Sequence, residues 1–548
     1  MSLTDNRRTI IMAINKDRMC FNAGKKGEFT STSLPTAALL GIALATFSTS
    51  SAVRAAQFEV GEVDVNWTNT LKYSLGSRLG EPNDKNLANP NVDDPDRNFD
   101  KGSLMMNRFD WLSEFNARWK NFGLSLSGAA WYDNVYNRSN DNNSPATFNP
   151  YSVSNDHFAD QTEKWAGKKI ELMNAFISGQ FTPMDVPVSM RLGQHTLIWG
   201  ESLFFTDNGI AAGMAPVDAY KALSVPNIKA QEVFLPTNQL SMSVLLSDSW
   251  VVEGYYQFEW EKTRIPPAGS YLSSVDLLDE GGERIIAGPG AYFYRASDKE
   301  PDAAQYGVSV RWRPVDLNLD IGAYALRYND KTPRVNTVPS GGFDPATGSI
   351  GQYFLDYKEK IELYGLSANM SYGSLNLGGE ISYRDGVPLR ANGNVLVPDV
   401  LGNTLHAQVS AIWVGNAGPA WDGVSIAAEL AGHKLLEVTK NKEQRDTSLD
   451  DSVYGIRGVT TFQYFQVMPS LDIELPIGLG YNFKGKSPIS AAFNNYGSNE
   501  GGDLTVGVVG TYQQDWKLGL NATHFFGSES GNYYSGRDFL MASVSRSF

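Results

Sequence analysis

Six oxygen-bearing side chains, Asn91, Asp93, Asp94, Asp96, Asn98 and Asp100, fall within ten positions of the 548-residue chain. Carboxylates and amides at that density are the ligands a hard cation such as Ca²⁺ takes. No glycine stands at the EF-hand turn position, however, and no glutamate closes the loop, so a solvated acidic loop is the simpler expectation. His157, His195, His406, His433 and His524 lie far apart with no ligand-like spacing, which argues against a metal centre. Ser202 and His195 are the only sequence-local nucleophile and base, and seven residues of extended chain would hold them roughly 23 Å apart. Neither enzymatic chemistry nor a cofactor is expected. The remaining polar candidates, Arg191 and Glu201 with Trp199 between them, suit pairing and packing rather than bond-making, so the elements that carry them decide their meaning.

The net charge of −14 and a pI near 5.0 exclude nucleic acid as a partner, because a phosphate backbone calls for an excess of clustered Lys and Arg. Residues 1–55 look like a secretory signal. Arg7, Arg8, Lys16, Arg18, Lys25 and Lys26 precede an apolar run from Leu34 to Phe47, and Val53 and Ala55 supply the small residues before a cleavage site. Met19 offers an alternative start within the long basic lead. Seven basic and three acidic groups leave with this segment, so the charge deepens to −18. The single cysteine, Cys20, leaves with it too, which removes disulfides, thiolate metal sites and cysteine nucleophiles.

From Val63 onward the chain alternates. Val63, Val65, Trp67, Leu71, Tyr73 and Leu75 share one parity, with Asp64, Asn66, Thr68, Thr70, Lys72 and Ser74 on the other; Phe109, Trp111, Phe115 and Trp119 repeat the pattern. Brief turns at Lys120–Gly123, Thr182–Pro187, Ser247–Trp250, Arg313–Asp316, Tyr372–Ser374, Gly415–Asp422, Met468–Leu471 and Gln513–Lys517 interleave with long polar segments. A soluble sandwich has no reason to sort its loops in that way, whereas an outer-membrane barrel has short periplasmic turns and longer outer loops. The expectation for residues 56–548 is therefore an all-β fold: a single transmembrane antiparallel β-barrel of about 18 strands in a Gram-negative outer membrane, in contact with lipid and lipopolysaccharide. Trp111, Trp119, Trp131, Tyr132, Tyr255, Tyr256, Trp260, Trp312, Tyr324 and Tyr328 are expected at the membrane interfaces. Leu540, Val544 and the terminal Phe548 share a parity in the last strand, resembling the signal that the barrel-assembly machinery reads. Arg546 departs from that pattern at a cost of about 0–1 kcal/mol near the interface.

The runs Asn98-Phe99-Asp100-Lys101-Gly102-Ser103-Leu104, Asn107-Arg108-Phe109-Asp110 and Gly128-Ala129-Ala130-Trp131-Tyr132-Asp133 resemble a proteobacterial family catalogued as domain of unknown function 1302. So do Arg191-Leu192-Gly193-Gln194, Trp199-Gly200-Glu201-Ser202 and Gly254-Tyr255-Tyr256-Gln257 with Trp260. The resemblance implies an outer-membrane protein whose relatives are associated with an RND-type transporter of hydrophobes and a periplasmic partner protein.

The segment 201–236, after the fifth strand, is too apolar for a solvated outer loop. It contains Ile210, Met214, Pro216, Tyr220, Leu223, Val233 and Phe234, and an inward fold that narrows or plugs the barrel is expected. Arg191 and Glu201 would pair across the lumen at its entry, with Trp199 at the rim. A methyl-rich lining would suit a conduit for hydrophobic or lipid-like molecules. The alternative is a substrate-specific or general porin for small hydrophilic solutes, and a structural barrel or adhesin with ligand-binding outer loops is a third reading.

Overall fold

A computed structural model describes residues 56–224, 233–392, 399–489, 500–527 and 532–548, so the signal expected at 1–55 lies outside the described residues. Strands form where the sequence alternates, because only a pleated strand separates two parities onto two faces. Eighteen long strands build the barrel. They are β1 (Val63–Arg78), β2 (Leu104–Trp119), β3 (Phe122–Asp133), β4 (Lys168–Phe181), β5 (Val188–His195), β6 (Thr237–Ser247), β7 (Trp250–Gln257), β8 (Gln305–Trp312) and β9 (Leu319–Tyr328). The second half holds β10 (Ile361–Tyr372), β11 (Leu375–Pro388), β12 (Leu401–Gly415), β13 (Gly423–Lys440), β14 (Ser452–Met468), β15 (Leu471–Lys484), β16 (Gly501–Tyr512), β17 (Trp516–Phe526) and β18 (Phe539–Ser547). Each pairs antiparallel with its sequence neighbours, and β18 pairs with β1 from Thr70↔Ser547 to Arg78↔Phe539, which closes the ring. A stub at Ala56–Val60 folds back on Val63–Trp67 and occupies the edge of β1 beyond the end of β18.

One parity of the strands faces out and is predominantly apolar. Ile170, Leu366, Val409, Leu430, Val508 and Leu518 are all exposed, Ile170 at 87%. A closed barrel with a continuous apolar exterior leaves no backbone group unpaired in hydrocarbon, which is the form in which strands cross a membrane. The protein is an outer-membrane β-barrel. At the short-turn end, Trp119, Phe122, Phe181, Trp250 and Trp312 form part of an interfacial girdle, with Trp119 stacked on Phe122 at 6.4 Å and Trp250 against Trp312 at 6.3 Å. Four aromatic residues expected in such a girdle are elsewhere. Trp131, Tyr255, Tyr324 and Tyr328 are 4–6% exposed and lie on the inward parity, where they pack against luminal structure instead of lipid. Nearness to a strand end did not distinguish the two faces; parity did.

Two of the long connections add structure absent from the strand count. Hairpins at Arg284–Gly288/Ala291–Arg295 and Arg334–Asp344/Ser349–Asp356 join through a parallel pairing of Ala291–Arg295 with Ser349–Asp356, giving a separate four-stranded sheet at the long-loop end.

The chain end is built into the seam. Phe548 N–H donates to Asn69 O at 2.9 Å and Asn69 N–H donates to Phe548 O at 2.7 Å. Arg546, on the outward parity with Leu540 and Val544, lies 5.2 Å from the ring centroid of Trp516, a cation–π position suited to the interface. Deleting Phe548 removes the last paired residue of the closing strand and is expected to lower the yield of heat-modifiable barrel by about half or more, read by gel shift with and without boiling.

Candidate functional site

The connection from β5 to β6 enters the bore, and ionisable side chains of the opposite wall hold it there. Inward positions of β11, β12 and β13 carry Glu380, Arg384, His406, Gln408, Glu429 and His433, interleaved with outward apolar neighbours such as Ile381, Val409 and Leu430. Glu380 accepts the backbone N–H of Glu201 at 2.6 Å and of Ile210 at 2.8 Å, and Gln408 Nε2 donates to the same carboxylate at 3.0 Å. Glu429 accepts the N–H groups of Leu203, Phe204 and Phe205 at 3.1, 2.5 and 2.8 Å. Arg384 donates to the carbonyls of Asp207, Asn208 and Gly209 at 3.1, 2.6 and 2.9 Å. The loop has no ladder partner inside the barrel, so its backbone groups need these side chains. Gly200 sits at φ +97°, and a Cβ there would collide with the Glu380 carboxylate.

Asn208 is the centre of this wall. Its Oδ1 lies 2.9 Å from His406 Nδ1 and 3.3 Å from His433 Nδ1, and its Nδ2 donates to Gln408 Oε1 at 3.1 Å. An amide oxygen only accepts, so both imidazoles carry hydrogen on Nδ1. Their Nε2 atoms then accept from Thr404 and Ser487 at 3.0 and 2.9 Å. The two histidines are register partners on β12 and β13 with ring centroids 5.2 Å apart, although 26 other residues separate them in sequence.

The segment then crosses the bore. A short helix, Ala219–Ser224, is capped by Asp218 Oδ1, which accepts Lys221 N–H at 2.9 Å. Lys221 Nζ donates to Glu171 Oε1 on β4 at 2.7 Å and lies 4.3 Å from the Trp131 ring centroid; Arg264 donates to Glu171 Oε2 at 2.6 Å. β4 and β13 are nine strands apart in an eighteen-strand ring, so the two anchorages face each other across the barrel.

The expected constriction residues do not form one lining. Trp199, Ile210 and Met214 pack with Tyr255, Tyr324, Tyr328 and Leu363, and Ile210 and Met214 are 0% and 1% exposed. Their apolar surface is turned into the wall, where the methyl-rich lining expected from sequence is used up. Pro216, Val233 and Phe234 form a clasp between outgoing and returning chain, with Leu235 N–H donating to Pro216 O at 2.9 Å and Val217 bridging Phe234. Tyr220 and Leu223 join an aromatic cluster with Phe99, Tyr136, Tyr271 and Phe539 at the long-loop end. Glu201 accepts from Asn369 Nδ2 at 2.7 Å, while Arg191 lies over the Phe176 ring at 5.7 Å. The expected Arg191–Glu201 pair therefore does not hold the loop; Glu380, Arg384, Glu429 and Glu171 do. Ser202 and His195 are likewise not partners, since His195 Nε2 meets Ser241 Oγ at 2.8 Å.

Below Trp199 and Leu197, toward the short turns, lies a cavity of about 1110 Å³. Its wall across β4–β8 carries a ladder of polar groups, Ser178, Ser189, Arg191, Ser241, Ser243, Glu253 and Arg311, beside the apolar pair Leu245 and Val251. Register places Arg191 between Ser178 and Ser241, and Glu253 between Ser243 and Ser309. Arg311 and Arg313 both bond Asp320, at 2.7 and 2.6 Å.

The family described as protein of unknown function (DUF1302) matches residues 36–548. The chain belongs to that family. No curated protein matches it. Solved structures similar to this DUF1302 barrel include OccAB1 of Acinetobacter baumannii, with 9% identity, a TM-score of 0.43, and coverage of 91% of this chain and 99% of that one. OccK2 (OpdF) of Pseudomonas aeruginosa, solved in complex with glucuronate, has 9% identity, a TM-score of 0.39, and coverage of 88% and 98%. The outer membrane channel DcaP of Acinetobacter baumannii has 10% identity, a TM-score of 0.37, and coverage of 90% and 100%.

The acidic stretch of the first long loop is not solvated as expected. Asp93, Asp94 and Asp96 are at most 1% exposed, and Asn98 is 2% exposed. Asp96 bonds Arg78 at 2.6 Å and Arg537 at 3.1 Å. Burial pushes its carboxyl upward, and the two guanidiniums outweigh that and hold it below the usual range.

Truncating both loop-holding carboxylates, Glu380→Ala with Glu429→Ala, orphans five backbone N–H groups and removes charge-assisted bonds of about 1.5–3 kcal/mol each. The barrel is expected to assemble while the segment 199–215 detaches, giving cleavage near Phe204–Phe205 by chymotrypsin that the parent protein resists.

Proposed function

We propose that this protein is an outer-membrane channel for small hydrophilic solutes, with the β5–β6 segment setting its aperture. The observation that carries the reading is the polar wall of the 1110 Å³ cavity. Hydroxyl, guanidinium and carboxylate groups alternate along it at cross-strand spacing, and such groups replace the hydration of polyhydroxy or carboxylate solutes. The apolar side chains Ile210 and Met214 serve the docking of the segment, and below the Leu197–Trp199 cap the polar ladder faces the solute.

A second reading, a conduit for hydrophobic or lipid-like molecules working with an RND-type transporter and a periplasmic partner, draws on the apolar cap that Leu197 and Trp199 place over the cavity. It would require solute to displace that cap, where Trp199 packs against Tyr255 and Tyr324 with ring centroids 5.2 and 5.8 Å from its own.

Proteoliposome swelling separates the two. Swelling with pentoses and small carboxylates is expected at rates well above protein-free vesicles, with Arg191→Ala altering the carboxylate rate relative to the pentose rate by about twofold or more. Absent swelling, together with a co-purifying apolar ligand, would transfer the assignment to the second reading. Planar-bilayer conductance of the Glu380→Ala/Glu429→Ala variant is expected to rise above that of the parent, because residues 199–215 are no longer held in the bore against β11–β13.

A further inference from the structure

Three long loops meet at a buried point that the luminal site does not use. Asp93 and Asp94 come from the β1–β2 connection, Asn149 from the β3–β4 connection and Asp276 from the β7–β8 connection. All four are at most 1% exposed. One donor oxygen from each carboxylate lies within 4.8 Å of the others, the span of a sphere about 2.3–2.6 Å in radius on which Ca²⁺ ligands sit.

Each carboxylate has one oxygen engaged and one orphaned. Arg97 Nε bonds Asp93 Oδ2, Asn149 N–H donates to Asp94 Oδ2 at 3.2 Å, and Asp94 N–H donates to Asp276 Oδ2 at 3.2 Å. The Oδ1 atoms of Asp93, Asp94 and Asp276 are buried without a donor. So is Asn149 Oδ1, while its own Nδ2 is spent on Asn91 Oδ1 and Arg284 O. An orphaned carboxylate oxygen in the interior is costly, and four orphaned oxygens on residues joined by these bonds call for a partner that the side chains around them do not supply.

Charge points the same way. Arg97 answers Asp93, and Arg78 and Arg537 are committed to Asp96. Among the described residues, Asp94 and Asp276 form no ion pair, so neither carboxyl has a cationic side chain as partner.

We propose that Asp93, Asp94 and Asp276, with the amide oxygen of Asn149, bind one divalent cation, Ca²⁺ in preference to Mg²⁺, which staples three outer loops over the barrel. The four side-chain oxygens supply part of a six-to-eight-oxygen shell, leaving positions for water. Three carboxylates and an amide oxygen exceed the one or two carboxylates that a Mg²⁺ site usually takes, hence the preference.

The test uses the full barrel, residues 56–548, refolded in detergent without lipopolysaccharide, stripped with EDTA and dialysed against radioactive Ca²⁺. One ion per chain is expected at about 1 mM, the range of extracellular modules. Asp94→Asn with Asp276→Asn is expected to weaken binding at least about tenfold while keeping heat-modifiable migration, and Asp100→Asn, at an exposed position of the same loop, is expected to leave it unchanged. In the parent protein, Ca²⁺ is also expected to protect the 79–103 and 258–304 loops from trypsin. No bound ion on the parent barrel at about 10 mM Ca²⁺, or equal binding by the double variant, overturns the proposal. If the double variant does not refold, the parent measurement and the single Asp276→Asn variant decide.

Discussion

Closure of the strand ring is the constraint on which everything else rests. Hydrocarbon offers no hydrogen bonds, so the sheet can have no edge in the membrane, and the pairing of β18 with β1 is the condition for the other strands to be there at all. Closure divides the side chains into two populations by parity. The outward one must be apolar and carries no specificity. The inward one is free to be charged, and it holds Glu171, Glu380, Arg384, His406, Glu429 and His433.

Those inward charges solve the problem of placing irregular backbone inside a barrel. A loop that enters the bore carries amides and carbonyls with no neighbouring strand, and leaving them unpaired would cost more than its apolar contacts return. Glu380 and Glu429 answer five amides and Arg384 three carbonyls, so each side chain acts as a short length of ladder. The apolar side chains Ile210 and Met214 then add packing to a path the polar groups have already fixed. The same physics operates at the long-loop end, where Asp96 is buried between two guanidiniums. It is left unfinished around Asp93, Asp94 and Asp276, whose orphaned oxygens lack a protein donor.

Much of this was legible in the residues. Period-two alternation, the regular sorting of short and long connections and the excess of apolar residues in 201–236 led to eighteen strands and an inward segment after the fifth. The resemblance carried by Trp199-Gly200-Glu201-Ser202 agrees with the family match over residues 36–548. The partners of that segment were not legible. Glu201 to Glu380, Phe205 to Glu429 and Asn208 to His406 span 179, 224 and 198 positions, and no local pattern encodes such distances. A weak signal existed in Glu380-Ile381-Ser382-Tyr383-Arg384, where charged residues alternate with membrane-facing ones and so must point inward.

The sequence alone pointed to a barrel of about eighteen strands and to 201–236 as the segment to look for in the lumen, because those follow from parity, loop length and local apolarity, all of them local quantities. Only the tertiary structure decided that the segment's apolar side chains Ile210 and Met214 face the wall, and that serine, arginine and glutamate side chains line one side of the cavity beneath. It also decided that the acidic loop is buried, and that His406 and His433 share one acceptor. Each of these depends on which strands the ring sets opposite one another and how their registers align, and a barrel fixes those relations only when its first and last strands meet.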